Sequence, residues 1–171
     1  MLVLETERLN LRRFDVDTDA PFALTLLNEP SFLRYIGDKQ VRNLDDARQY
    51  LLNGPIASYA KNGFGLYLVE LKDSQTAIGM CGLLKRDELP EPDIGFAFLP
   101  EFWNKGYAFE AAAAVMKDAR ETLNLGRILA IVNPDNYASM KLLERLGLGF
   151  ERMLGEGTKL RGTKLYGTSE S

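Results

Sequence analysis

Apolar residues recur along the chain with two different periods, and each change of period marks a predicted element. Apolar and polar residues alternate in residues 7–14, which is typical of a half-buried strand. Apolar residues three or four positions apart predict a helix at 19–28 and a second helix that begins after Asn43. We expect Gly54-Pro55 to break this second helix and a further helical piece to end at Asn62-Gly63.

The second half of the chain alternates strands with helices. Residues 64–71 and 76–85 have the pattern of two strands that a polar turn joins into a hairpin. The further predicted elements are a strand at 92–99, a helix at about 106–124, a strand at 127–133, a helix at about 136–146 and two last strands, GFERML and TKLYGT. This order predicts a single α/β or α+β domain over residues 1–171, with a mostly antiparallel sheet and one crossover through the helix at 106–124.

The composition fits a compact domain with a core and excludes several settings. The 171 residues are 46% hydrophobic and carry a formal net charge of −3, which gives no electrostatic case for nucleic acid as a partner. A single cysteine cannot form an internal disulfide and fits a reducing compartment. The opening MLVLE is charged by its fifth residue, unlike a signal peptide, and no apolar run is long enough to span a membrane. We therefore expect a cytoplasmic protein with no membrane partner.

The absence of histidine limits the chemistry more than any other feature of the composition. Metal sites built on histidine and nucleophiles activated by histidine are excluded. Acid–base chemistry must use carboxylates, Tyr, Cys, Ser, Lys or ordered water. No metal site is expected.

The segment FWNKGYAFEAAAAVM, residues 102–116, places an aromatic residue, a cation and a glycine directly before a helix start. A helix N-terminus exposes about four unpaired N–H groups and about half a positive charge, so it can hold an anion. On the residues alone the alternative stands that Gly106 only makes a strand-to-helix turn and that Trp103 belongs to the core. The chain contains neither the GxxxxGK[ST] string of a nucleotide P-loop nor the GxGxxG string of a dinucleotide-binding loop.

The remaining candidate is an acyl-CoA loop, and here a resemblance becomes specific. Residues 103–108, Trp-Asn-Lys-Gly-Tyr-Ala, resemble the pyrophosphate loop of the GNAT acetyltransferases, in particular of the branch similar to ribosomal-protein N-terminal acetyltransferases of the RimJ/RimL type. LETERLNLRRF, PDIGFAFLPEFW and NPDNYASMKLLERLGLGF resemble the same branch in the same order. The branch usually carries Gly at the position of Asn104, although Asn tolerates left-handed backbone better than most residues.

The resemblance implies the GNAT fold, with a mixed, mostly antiparallel sheet, about four flanking helices and two splayed parallel strands, here 92–99 and 127–133. Acetyl-CoA would lie between these strands, with its pyrophosphate on the backbone of residues 103–108 and its pantetheine arm paired with the main chain of Phe96 to Leu99. The residues that the resemblance assigns to cofactor binding are Phe96, Phe98, Leu99, Trp103, Asn104, Lys105, Gly106, Tyr107, Ala108, Asn133 and Asn136.

Amine acetylation needs a neutral amine, a polarised thioester carbonyl and a proton for the departing thiolate. The family pattern puts Ser139 near the cofactor sulfur, so we expect it to hydrogen-bond the thiolate; the alternative is a plain first-turn serine behind the N-cap Asn136. Asp93 stands where the branch tends to carry Glu and is the expected base, acting through a water; the alternative is a solvated strand-end residue. Weaker candidates for the base are Glu70, Glu88 and Glu91.

Other reactive or charged residues have simpler interpretations. Cys81 lies in an apolar strand and is expected to pack in the core. Three arginines near the start are most simply a solvated strand face: Arg8, Arg12 and Arg13. The acceptor rim, which the two early helices form in this family, would take Arg34, Tyr35 and Tyr59.

The sequence therefore predicts an acetyl-CoA-dependent N-acetyltransferase that acts on a primary amine, either a protein N-terminus or a small amine, by direct attack in a ternary complex. A monomer and a homodimer are both compatible with it. The alternative is a GNAT-like module that binds CoA or another partner and does no chemistry.

Overall fold

The computed structural model describes residues 1–155 and 157–169, which form an open eight-stranded sheet with helices on both faces. The strands are β1 Leu2–Glu5, β2 Leu9–Arg12, β3 Leu66–Leu71, β4 Ala77–Leu84, β5 Asp93–Phe98, β6 Leu129–Val132, β7 Gly149–Met153 and β8 Lys164–Gly167. The helices are α1 Ala20–Leu27, α2 Pro30–Tyr35, α3 Leu44–Leu51, α4 Ala57–Asn62, α5 Tyr107–Glu121 and α6 Tyr137–Arg145.

The strand order is β1-β2-β3-β4-β5-β6-β8-β7, and within the described chain β5 and β6 are the parallel neighbours. Their pairing is confined to Asp93 opposite Leu129, whereas the antiparallel pair β4 and β5 stays in register from Asp93 to Phe98. β5 and β6 therefore separate toward their carboxyl ends. This is the predicted GNAT fold, with α5 as the crossover.

Each face of the sheet has its own core. On one face, α5 packs its small and apolar residues, among them Ala111, Ala112 and Val115, over the central strands. On the other face, α1 and α3 cover β3 and β4 around Leu26, Leu51 and other buried side chains. Cys81 is fully buried in the first of these cores, and burial raises the pKa of its thiol, so the prediction that it only packs is confirmed.

The prediction that Gly54-Pro55 breaks the early helix is wrong. α3 runs through a π-helical turn, Leu52–Ile56, directly into α4. Proline has no N–H to give to the carbonyl four residues before it, and its ring collides with that carbonyl in an α-helix. The wider π turn changes this spacing and lets the chain continue as a helix. The helix ends at Gly63, whose φ of 79° is left-handed.

Two short elements were not predicted. β1 pairs antiparallel with β2 at the edge of the sheet, and α2 follows α1 after two residues and has Pro30 at its first position. Both are too short for a period to show in the sequence. Among the described residues no helix is both long and apolar enough to cross a membrane.

The prediction of a solvated arginine face is wrong for Arg12. Its guanidinium binds both oxygens of Asp19, at 2.8 and 2.9 Å, and also lies 3.3 Å from Glu70. Asp19 and Glu70 are 4% and 9% exposed, so this arginine neutralises two buried carboxylates. Alternation placed Arg12 on the polar side of β2, but α1 covers that side.

Candidate active site

A cleft of about 480 Å³ opens where β5 and β6 separate. Its walls come from the end of β5, the loop before α5, the first turns of α5 and α6, and the α1–α2 region. The lining is mostly apolar and aromatic. Of the residues predicted to bind the cofactor, those that line the cleft are Phe96, Phe98, Trp103, Asn104, Gly106, Tyr107, Ala108 and Asn136, and the catalytic candidate Ser139 lines it too.

The edge of β5 presents main-chain groups to the gap beside β6. Pro92 O accepts from Leu129 N–H at 2.9 Å, so the even-numbered residues of β5 direct their N–H and C=O groups toward β6. Once β6 has diverged, the groups of Phe96 and Phe98 face open space. The indole N–H of Trp103 donates to Phe98 O at 2.9 Å, which leaves Phe96 N–H, Phe96 C=O and Phe98 N–H directed at the cleft.

Leu99 does not belong to this row, which corrects its place among the predicted pairing residues. Its N–H donates to Ile78 O at 2.9 Å, and its C=O accepts from Phe102 N–H at 3.0 Å. Both groups are therefore used within the protein, and Leu99 does not line the cleft. The strand alternation that presents Phe96 and Phe98 turns Leu99 toward β4.

The loop before α5 takes its shape from two left-handed residues. Asn104 has φ 63° and Gly106 has φ 83°, and Gly106 is the N-cap of α5. Glu110 N–H is the donor that closes the first helical turn, onto Gly106 O. The N–H groups of Tyr107, Ala108 and Phe109 therefore precede any intrahelical bond and point out of the helix at the cleft, as an anion site requires. Lys105 is exposed and lies outside the cleft lining.

The N-terminus of α6 is organised differently. Asn136 caps it, with its side-chain oxygen accepting from Ser139 N–H at 3.3 Å. Asn133 shapes the preceding turn by accepting from Asp135 N–H at 2.9 Å, and it does not line the cleft. Asn133 therefore stabilises the turn before α6 and is not part of the cleft wall, unlike the predicted cofactor contact.

Several residues that line the cleft were not predicted from the sequence, and among them Arg145 and Phe109 form a contact between two helices. Arg145, the last residue of α6, lines the cleft together with Ser139, and its guanidinium sits 4.0 Å from the ring centre of Phe109 on α5. This pair connects α5 and α6 across the cleft and supplies a cation there. Six residues turn a helix through about 600°, so Arg145 lies about 120° around α6 from Ser139, and the helical period gives no signal for it.

Asp93 is not brought to this cleft. Its side chain is 1% exposed and pairs with Arg86, whose Nε lies 3.1 Å from one carboxylate oxygen. Burial raises the pKa of Asp93 to about 6, more than Arg86 and Lys85 lower it. Asp93 sits where β5 and β6 are still paired, at the closed end of the splay. The alternative prediction for Asp93, a solvated residue at the strand end, is also wrong, because the side chain is buried.

The α1–α2 region forms the far wall of the cleft. Glu29, Ser31 and Tyr35 line it there, which agrees with the predicted place of Tyr35. Tyr59 lies in the core, where its hydroxyl accepts from Phe14 N–H and donates to Leu66 O. Glu29 and Asp135 are the carboxylate-bearing residues that the structure places along the cleft.

Comparison with known proteins agrees with this geometry. The chain is 30% identical over 165 residues to an uncharacterized N-acetyltransferase, p20, of Bacillus licheniformis, covering 95% of this chain and 90% of that protein. RimL, a ribosomal L7/L12 alpha-N-protein acetyltransferase solved with coenzyme A, superposes with a TM-score of 0.82 at 17% identity, over 98% of this chain and 97% of that chain. Spermidine N-acetyltransferase of Vibrio cholerae, solved with CoA and spermine, superposes with a TM-score of 0.76 at 22% identity, over 95% of both chains.

The two solved structures share the fold with this chain, and the family assignment comes from the sequence. Residues 8–149 match the profile described as the acetyltransferase (GNAT) domain. This match spans both splayed strands, the loop before α5 and the N-terminus of α6. The chain therefore belongs to the GNAT family of acetyltransferases.

Proposed function

We propose that this acetyltransferase uses acetyl-CoA and transfers the acetyl group to a primary amine by direct attack in a ternary complex. The observation that carries the proposal is the continuity of the cleft. Its lining includes the N-terminus of α5, which has no side-chain cap, the open edge of β5 and the α1–α2 wall. One cleft therefore joins a helix N-terminus suited to a diphosphate, a strand edge suited to a pantetheine arm and an apolar wall suited to an acetyl group.

The residues present fit such a ligand. The N–H groups of residues 107–109 would hold the diphosphate, and the arm would pair with Phe96 as an added strand. Asn104 and Gly106 allow the backbone to approach the phosphates. Arg145 lies beside this path and would offset part of the ligand's charge.

In the proposed reaction the amine nitrogen attacks the thioester carbonyl carbon, the C–S bond breaks, and the amine loses a proton. Of the main-chain groups of Phe96 and Phe98 that face the gap, one N–H would stabilise the oxyanion and the others would pair with the arm. Ser139 would donate a hydrogen bond to the departing thiolate. We assign the amine proton to water in the cleft, since the buried Asp93 has no direct path to it.

The acceptor would approach from the α1–α2 wall, where Glu29 can attract an ammonium group before it loses its proton. RimL acts on a protein and the Vibrio enzyme is named for a polyamine, so the fold accommodates both kinds of acceptor. The motifs at residues 103–108 and 133–150 resemble the RimL-like branch, which supports a protein acceptor. We therefore rank a protein or peptide N-terminus as the first acceptor to test.

The experiment measures free thiol release from acetyl-CoA with panels of N-terminal peptides, polyamines and small amines. CoA should also raise the melting temperature. Thermal stabilisation without thiol release from any panel would favour a binding module that does no chemistry. Absence of any stabilisation by CoA or acetyl-CoA would refute the proposal itself.

A further inference from the structure

The loop before α5 is held from outside the cleft by Arg8, at the start of β2. Arg8 Nη1 donates to Lys105 O at 3.0 Å, and its guanidinium lies 4.4 Å from the ring centre of Tyr107. A Cβ added to Gly106 would come within 3.3 Å of Arg8 Nη2. The arginine therefore contacts Lys105 and Tyr107 and lies beside Gly106, while it stays outside the cleft lining.

Arg8 is itself fixed by Glu110 in the first turn of α5. Arg8 Nε donates to Glu110 Oε1 at 2.7 Å, and Arg8 main-chain N–H donates to Oε2 at 2.9 Å. The Thr6 hydroxyl donates to the same Oε2 at 2.5 Å. One carboxylate thus accepts three hydrogen bonds from the β1–β2 turn and ties that turn to α5.

The charge balance keeps Glu110 in the form this arrangement needs. Partial burial raises the pKa of Glu110, but the hydrogen bonds from Thr6 and Arg8 lower it by more, so its pKa lies below the ordinary value. An ionised Glu110 can accept all three bonds and neutralises Arg8. The side chain of Arg8 remains 43% exposed, so its charge alone would stabilise the loop only weakly. Its contribution comes from the directed hydrogen bonds of the guanidinium.

The hydrogen bond from Arg8 engages a carbonyl of the loop backbone, that of Lys105. A carbonyl of Lys105 that is bound to Arg8 turns away from the cleft, and the left-handed Asn104 and Gly106 on either side allow this. The N–H groups that follow Gly106 are then left for a ligand. Without Arg8 the carbonyl can rotate toward the cleft and place a partial negative charge near the diphosphate.

We propose that Arg8, anchored by Glu110 and Thr6, is a positioning residue that holds the loop in its diphosphate-binding conformation. This inference rests on the proposed use of acetyl-CoA. It assigns a role to a residue of the β1–β2 region, about a hundred positions from the loop in sequence. Arg8 would act on the diphosphate through the backbone of residues 105–107.

The test measures binding of three ligands to the full chain by calorimetry: CoA, 3′-dephospho-CoA and pantetheine. We expect Arg8→Ala to weaken the binding of CoA and of dephospho-CoA by about tenfold each, which is the value of one hydrogen bond to a charged group. The affinity for pantetheine should change by less than about twofold. Glu110→Gln should weaken the same two ligands by a smaller factor. Arg8→Lys should resemble Arg8→Ala, because lysine keeps the charge but loses the fork that spans Lys105 and Glu110.

The matched control is Arg42→Ala, which breaks an exposed ion pair with Asp38 in the segment between α2 and α3. This variant should leave all three affinities unchanged. Equal weakening of pantetheine binding would overturn the proposal. A loss of affinity confined to CoA would also overturn it, because it would mean a direct contact of Arg8 with the 3′-phosphate. Unchanged CoA affinity in both Arg8 variants would overturn it as well. If Arg8→Ala does not fold, Arg8→Lys and Glu110→Gln decide. Failure of the unaltered protein to bind CoA would instead refute the proposed function.

Discussion

Asn104 shows how a single residue can depart from a family pattern and keep the local geometry. The RimL-like branch usually has Gly there, and Asn104 takes the left-handed conformation, with φ 63°, that Gly would take at no cost. Asn reaches this region more easily than other residues with a side chain. The substitution therefore leaves the shape of the loop intact.

The proposed role of Ser139 in the chemistry can be measured separately from cofactor binding. We expect Ser139→Ala to lower kcat by about tenfold to a hundredfold, because the thiolate loses its hydrogen-bond donor, and to change CoA affinity by less than about twofold. Steady-state kinetics and calorimetry on the same preparation separate the two effects. Ser74→Ala, in the exposed β3–β4 turn, serves as the control. An unchanged kcat would remove Ser139 from the mechanism.

The buried carboxylate of Asp93 should make stability depend on pH. Burial raises the pKa of Asp93 to about 6, so the folded protein binds this proton more tightly than the unfolded chain does. The contribution to stability is full below about pH 4 and is lost as the pH rises through about 6. Asp93→Asn should remove this pH-dependent part of the free energy of unfolding, which amounts to roughly 1–3 kcal/mol.

Urea unfolding of the unaltered protein and of Asp93→Asn, at intervals between pH 4 and pH 7.5, measures this difference. Asp45→Asn is the control, because the side chain of Asp45 is 92% exposed and its replacement should preserve the slope. Parallel stability curves for the unaltered protein and Asp93→Asn would contradict the assignment. A large loss of turnover in a folded Asp93→Asn protein would restore Asp93 as a candidate base.

Among the elements, β4 depends on glycine for its packing against the start of β3. A Cβ on Gly82 would lie 2.0 Å from Gly65 O, a main-chain atom that cannot yield as a flexible side chain can. We expect Gly82→Ala to destabilise the fold by on the order of 3 kcal/mol, because the two strands must separate locally. Chemical denaturation measures the change. Gly126→Ala has nothing within 4 Å of the new Cβ and should change stability far less; similar losses in both would contradict the packing argument.

The two helix N-termini at the cleft differ in a way that only their capping residues explain. Gly106 offers no side chain to α5, whereas Asn136 caps α6 and occupies one of its N–H groups. The N-terminus of α5 therefore has more free donors for an anion. The sequence alone supports this contrast, since Gly and Asn precede the two helical patterns.

Across the whole molecule, Arg12 joins the early helices to the sheet. It bridges Asp19 before α1 and Glu70 on β3, and these carboxylates raise the pKa of its guanidinium. Arg12→Ala would leave two carboxylates buried without their partner, and we expect a loss of about 3–5 kcal/mol in the free energy of unfolding. Arg48→Ala, which breaks only exposed ion pairs, should cost less than about 1 kcal/mol. Equal effects in the two variants would show that Arg12 is not a structural bridge.

The sequence by itself determined most of the elements and the likeness of the loop to a diphosphate site. Periods of two and 3.6, a proline after β5 and a glycine before α5 act within a few residues, so they can be recognised without a fold. The π-helical turn at Pro55 was not predicted because the standard rule for proline assumes α-helical spacing.

Only the tertiary structure decided what the charged residues do. Arg8 meets Glu110 across 102 positions and Arg12 meets Glu70 across 58, while Asp93 is buried because its strand pairs on both sides at that point. Long side chains find partners through the order of strands in the sheet, which leaves no local period in the sequence. The tertiary structure likewise selected Phe96 and Phe98 over Leu99, because the direction of each main-chain group depends on which neighbouring strand is present.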